Sequence, residues 1–225
     1  MKYKTTVAAL LAFPFMAHAD IKIASLASMG ITDEQAKNSA EIQQEIAEKG
    51  YHETNDDRYI NFLINREKSA RDEINTFSAS NDATDTHLKK SINDIPLAFK
   101  YNAIPVKHIN GFAPIGSYIK DKGWTGVKVF FTDPNLGSCA YSQMNNELTH
   151  GSVTLARESI KHYINKKPAY PMIYGKNNSG FMYTVDWYGQ NDFFTLDCAN
   201  KNFKPKAEEN LLTIAEKIDS AVSKK

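Results

Sequence analysis

The sequence predicts an α+β fold: an N-terminal helical segment, an antiparallel β-sheet carrying one disulfide, and a C-terminal helix packed on that sheet. Three observations lead there. Between residues 20 and 99 the only aromatic residues are Tyr51, Tyr59, Phe62, Phe77 and Phe99, whereas the chain after residue 99 is rich in them and holds both Trp124 and Trp187. Turn residues cut the stretch from 100 to 205 into segments of strand length. A helical apolar stripe closes the chain. The organisation that follows is a signal peptide over 1–19, a helical segment over 20–99 read as a helical hairpin, and a sheet domain with its C-terminal helix over 100–225.

Residues 1–19 carry an address. Lys2 and Lys4 are followed by the uncharged run Val7 to Met16 and then by Ala17-His18-Ala19, the small residues a signal peptidase accepts. Cleavage is expected after Ala19, leaving Asp20 first. No cysteine follows the cut, so a lipid anchor is not expected, and the apolar run is too short to span a bilayer. The expected location is the periplasm or the exterior of a bacterium, and the frequent Asn and Lys suit an AT-rich genome. Losing two lysines moves the formal charge from +1 to −1. A charge so near zero argues against nucleic acid or an anionic membrane as the partner.

Two cysteines, Cys139 and Cys198, make one expected disulfide in an oxidising compartment. Closing a loop of that length removes about 4 kcal/mol of unfolded-chain entropy.

Ile21 and Ile23 alternate with polar neighbours, as in a short strand. Thr32 with Gln35 forms a capping-box pattern and Gly50 a C-terminal cap, so a helix is expected from about Asp33 to Lys49 with a thin apolar stripe. A second helix is expected after Thr54, with Tyr59, Leu63, Ala70, Ile74 and Phe77 at helical spacing, then a loop over 78–85 and a short helix over 87–93. Val127, Val129 and Phe131 make one strand, and Cys139 with Tyr141 another. The clearest alternation places Phe181, Tyr183, Val185 and Trp187 on one face and Met182, Thr184, Asp186 and Tyr188 on the other. A turn at Gly189-Gln190-Asn191 then leads into Phe194, Leu196 and Cys198, a hairpin whose last strand the disulfide would tie to the Cys139 strand. Residues 152–164 fit helix or strand, and the spacing of the following turns favours strand. Leu211, Ile214, Ala215, Ile218 and Val222 form the closing helix, with Glu208 and Glu209 early in it.

Candidate chemistry is sparse. Gly137-Ser138-Cys139-Ala140-Tyr141 superficially resembles the surroundings of a papain-type nucleophile, but that arrangement needs a histidine well over a hundred residues downstream, and only 140–225 remain. Glu147, His150 and His162 do not reach a recurring zinc-ligand spacing, so no metal and no cofactor is expected. Ser152 lacks a nucleophile elbow, and there is no phosphate-binding glycine loop. Asp186 and Asp197 are the one carboxylate pair that a hairpin brings together, as acid hydrolysis requires, although strand alternation predicts a solvated outer face for them. Tyr170, Tyr174, Tyr188, Trp124 and Trp187 are the candidate binding anchors, with Trp124 and Tyr188 singled out: Trp124 lies in a glycine-flanked turn, and Tyr188 faces away from the expected core. The function expected is non-enzymatic binding of a protein, glycan or small molecule, directed at a host or competitor, with no membrane insertion; the alternative is a small secreted hydrolase using acidic residues.

Overall fold

The computed structural model describes residues 21–65, 88–149 and 151–223. The expected signal peptide, the expected continuation of the second helix beyond residue 65, the expected 78–85 loop and His150 lie outside them. Strand β1 (Ile21–Ala24) is followed by helix α1 (Asp33–Lys49). The Thr32 hydroxyl accepts from the Gln35 N–H, the Gln35 side chain reaches back to Thr32, and Gly50 closes the helix at φ 83°. No residue of α1 is buried. Strand β2 (His52–Glu53) comes next, then the helical residues 58–65 of α2.

The sheet is built from β3 (Ile109–Ile119), β4 (Gly123–Asp133), β5 (Gly137–Asn145), β8 (Lys167–Lys176), β9 (Gly180–Tyr188) and β10 (Asp192–Asn200), with β2 beyond β8. Its order is β2-β8-β9-β10-β5-β4-β3, and β7 (His162–Ile164) also pairs with β8. Every pairing is antiparallel except β2 with β8. The one-turn helix α3 (Asn146–Thr149) leads to β6 (Val153–Ala156), which pairs in parallel with β1 as a separate ribbon. The strand reading of 152–164 is therefore correct over 153–156 and 162–164, with a 3-10 turn at Arg157–Ser159 between them. In the β7–β8 turn, Asn165 and Lys166 both have positive φ, which a type I′ turn demands.

One face of the sheet carries Val127, Val129, Phe131, Tyr141, Tyr183, Val185, Trp187, Phe194 and Leu196. Helix α4 (Ala207–Val222) lays Ala207, Leu211, Ala215 and Ile218 on it, and each large aliphatic side chain buried there contributes about 1.5–3 kcal/mol. Cys139 and Cys198 stand directly opposite each other on adjacent strands and are bridged, with Cα atoms 4.0 Å apart. At the far edge Gly123, at φ 110°, brings the chain so close to Pro96 that a Cβ would sit 2.3 Å from its carbonyl oxygen. No described helix is long and apolar enough to cross a membrane.

The opposite face has a smaller apolar patch. Ile60 and Leu63 of α2, with Leu88, cover Ala113, Phe130, Ala140, Met182 and Ala199. Residues before 99 thus reach the sheet through β2, through α2, and through the bridges of Lys89 to Phe112 and Leu97 to Trp124.

Candidate functional site

Register defines this second face row by row. Across β8, β9, β10, β5 and β4 one row reads Tyr170, Asp186, Thr195, Ser142 and Lys128, and the next reads Met172, Thr184, Asp197, Ala140 and Phe130. Tyr188 and Phe193 pair beyond the first row, and Tyr174 pairs with Met182 beyond the second. Helix α2 closes the apolar end. The polar and aromatic end stays half-open: Tyr170, Tyr174, Tyr188 and Phe193 are half-buried, and Met172 is 38% exposed.

The two aspartates on this face have different fates. Asp197 is 7% exposed, and both of its oxygens are taken. Thr184 Oγ1 donates to Oδ1 at 2.6 Å, and the Tyr59 hydroxyl donates to Oδ2 at 3.1 Å. The Lys128 ammonium in turn donates to the Tyr59 oxygen at 3.1 Å and lies 5.6 Å from that ring's centroid. Burial raises the Asp197 carboxyl, while Thr184, Lys128 and Tyr59 act against it; burial also lowers Lys128, with Asp197 opposing. Asp197 is thus the anchor that ties α2 to the sheet.

Asp186 has less support. Thr195 Oγ1 donates to Oδ1 at 2.6 Å, and Oδ2 has no partner among the described residues. Burial pushes its carboxyl up to about 6, Thr195 pulls it down, and the neighbouring Asp197 charge adds to the rise. Three rings bound it. Tyr170 lies directly across on β8, Tyr188 two residues along β9, and Phe193 opposite Tyr188. Tyr170 and Tyr188 meet edge to face at 6.1 Å and 87°, and Tyr188 stacks on Phe193 at 5.0 Å and 23°. The Tyr170 hydroxyl also donates to the Ala156 carbonyl at 3.0 Å, fixing the β6 ribbon at this side of the face.

Beyond Tyr174 the face runs into a cleft of about 590 Å³ lined by Thr54, Asp56, Arg58, Tyr59, Phe62 and Tyr174. Tyr59 stacks on Phe62 at 5.8 Å and 13°, leaving Phe62 44% exposed, and Arg58 holds Asp56 through two bonds of 2.9 and 2.7 Å. Burial raises the Tyr174 hydroxyl to about 12, with the charges of Asp197, Asp56 and Asp186 adding to it.

The structure brings Asp186, Asp197, Tyr170, Tyr174 and Tyr188 to one face; the alternation predicts this for the hairpin residues, and the register of β8 adds the other two tyrosines. It corrects the solvated outer face expected for the two aspartates, because α2 packs over Asp197 and the rings flank Asp186. It also removes Trp187 from the binding anchors: that side chain is fully buried, and its indole N–H donates to Asp219 Oδ1 at 2.9 Å. Trp124 packs partly against the α4-side core and meets Tyr118 edge to face at 5.6 Å, so it does not share a surface with Tyr188. Glu147 is exposed and accepts from Asn191 at 2.8 Å, while His162 faces Glu208 at 3.3 Å, so these two candidate ligands have separate partners. No group of three or more metal-ligating side chains occurs among the described residues. Sequence reasoning passed over Tyr59 and Lys128. Lys128 stands between Val127 and Val129, so alternation alone places it on the face opposite the core. Tyr59 gave no comparable signal, since the α2 stripe does not reveal which strand it meets.

A paired-carboxylate hydrolase needs two carboxyl groups that reach one bond. Asp197 is sealed by Thr184 and Tyr59, so only Asp186 is positioned to meet a ligand. The arrangement can present flat rings, a thioether and one acidic oxygen to a bound molecule. The chain matches no protein-family model, no curated protein and no solved structure.

Proposed function

We propose that the mature chain is an exported, non-enzymatic binding protein that holds its ligand on the half-open second face of the sheet, from Tyr188 and Tyr170 past Met172 to the Tyr174 cleft. The observation that carries the reading is the asymmetry of the sheet. Helix α4, together with Ile95, Ile104 and their neighbours, covers one face, while the other keeps four half-buried rings and a 38% exposed methionine in one continuous strip. Rings of this kind supply large contact area at small entropic cost, and each has a polar or flat surface for a ligand to match. Sealing of Asp197 by its own chain weighs against the hydrolase alternative. Export rests on the expected signal peptide and is compatible with the Cys139–Cys198 bridge.

The test combines a thermal-shift screen of glycans, peptides and small metabolites with a broad hydrolase panel, on wild type, Tyr188→Ala and Tyr174→Ala. A ligand that raises the melting temperature of wild type and loses about 2 kcal/mol or more of affinity in either variant supports the reading. A turnover that Asp186→Asn abolishes and the tyrosine variants leave intact replaces it with the hydrolase. N-terminal sequencing of exported protein should begin at Asp20, and a retained Met1 would sink the export argument.

A further inference from the structure

The chain already builds one complete carboxylate, ring and ammonium constellation for itself. Lys128 Nζ lies over the Tyr59 ring and donates to the Tyr59 hydroxyl, which donates to Asp197. On the next row Asp186 repeats the first two parts. It is a carboxylate held by the threonine opposite at 2.6 Å and bounded by Tyr170, Tyr188 and Phe193. No Lys, Arg or His among the described residues forms an ion pair with it, and Glu158 adds a second negative charge beside Tyr170. Such a corner repels anions. A neutral apolar ligand would bury the carboxylate further without compensation. A divalent metal would lack protein ligands, since no described group of three exists. An organic cation satisfies all of it: the charge pairs with Asp186 Oδ2, and the ring faces, negative by their quadrupole, attract the same charge.

We infer that the corner formed by Asp186, Tyr170 and Tyr188 takes an organic cation, an ammonium or guanidinium group, as the charged part of the ligand. This rests on the binding reading above and names the chemistry of that site. The cation can come from a free amine or from a basic side chain of a peptide.

The experiment is calorimetric titration of the oxidised mature chain with cadaverine, with N-acetyl-lysine methylamide and with its neutral counterpart N-acetyl-norleucine methylamide. Wild type, Asp186→Asn, Tyr188→Ala and the remote control Tyr118→Ala are compared, with circular dichroism to verify folding. One or both cations should bind at least about tenfold more tightly than the norleucine compound, the pattern between them telling a free amine from a peptide side chain. Asp186→Asn should weaken cation binding by about tenfold or more and leave the norleucine compound unchanged, and Tyr118→Ala should change nothing. Binding should also weaken from about pH 7.5 to about pH 5 as Asp186 takes up its proton. The groups facing Asp186 are Asp197 from β10, Tyr170 and Tyr174 from β8, and Tyr188 from its own strand. The tyrosines are held above their usual range, and absence of the pH effect in Asp186→Asn assigns it to Asp186. Equal binding of the lysine and norleucine compounds, both lost in Tyr188→Ala, removes the cation and leaves the binding reading standing. No heat from either cation up to about 10 mM overturns the proposal, while the broader screen still decides the binding reading.

Discussion

Replacing Asp186 by Asn should make this protein more stable at neutral pH. Burial pushes the carboxyl from 3.8 to about 6, a rise of roughly two units, and at about 1.36 kcal/mol per unit the charged form costs the folded state roughly 3 kcal/mol. The folded chain therefore holds this proton more tightly than the unfolded chain does. The penalty is absent below the unfolded pKa near about 4, grows as pH rises through the folded value of about 6, and is complete above it. Asparagine never ionises, and its Oδ1 can still accept from Thr195, so most of the cost vanishes while the hydroxyl keeps a partner. The expected gain is about 1–3 kcal/mol at pH near 8, shrinking toward zero near pH 4. Urea unfolding of wild type and Asp186→Asn at both pH values measures it, and the difference between the two proteins cancels the titration of Asp192, whose carboxyl is also raised by burial. An asparagine variant that is less stable than wild type near pH 8, or a gap that is the same at both pH values, would refute the reasoning.

Two further outcomes follow from the packing on the other face. Reducing the Cys139–Cys198 bridge, or replacing both cysteines by Ala, frees a loop of 59 residues and should cost about 2–5 kcal/mol in urea unfolding, and non-reducing peptide mapping should recover the two half-cystines joined. Asp219→Ala should cost about 3–5 kcal/mol, because Asp219 is 1% exposed and accepts from Lys167 at 2.5 Å, Trp187 at 2.9 Å and Asn165 at 3.1 Å, so that the buried Trp187 N–H loses its acceptor and the Lys167 ammonium keeps only the Ser223 hydroxyl as acceptor among the described residues; a loss below about 1 kcal/mol would show that water replaces it.

Much of this architecture is legible because its signals are local. Thr32 with Gln35 and Gly50 bound α1 by capping chemistry alone, and the Phe181 to Trp187 alternation assigns each β9 residue to a face. The Cys139–Cys198 pairing follows once their strands are known to be neighbours. The turn at Asn165-Lys166 was harder to see because lysine at the second position lacks the glycine freedom that marks such turns. Its conformation is held from a distance, by Asn165 Nδ2 donating to the Glu216 carbonyl, Asp219 and Ser220 on α4. Burial of Asp197 was illegible for the same kind of reason. Strand period tells which face a side chain takes, but what covers that face is decided by α2, 138 positions away in sequence at Tyr59.

The two aspartates differ by their cover and not by their local chemistry. Each accepts on Oδ1 from the threonine directly opposite at 2.6 Å, and each sits on the same face of the same hairpin. Over Asp197 the chain places Tyr59 and, through it, Lys128; over Asp186 it places Tyr170 and Tyr188 with no described cation. A half-buried carboxylate with one hydrogen bond and no cation among the described residues, at an expense of stability that the asparagine variant should recover, fits a site that a ligand's charge completes. The stability and binding measurements therefore test one claim together: Asp186→Asn should raise the unfolding free energy and lower cation affinity in the same protein. A variant that is more stable and binds the cation undiminished would reduce Asp186 to a burial defect, and the ring-lined corner would then have to select its ligand without charge.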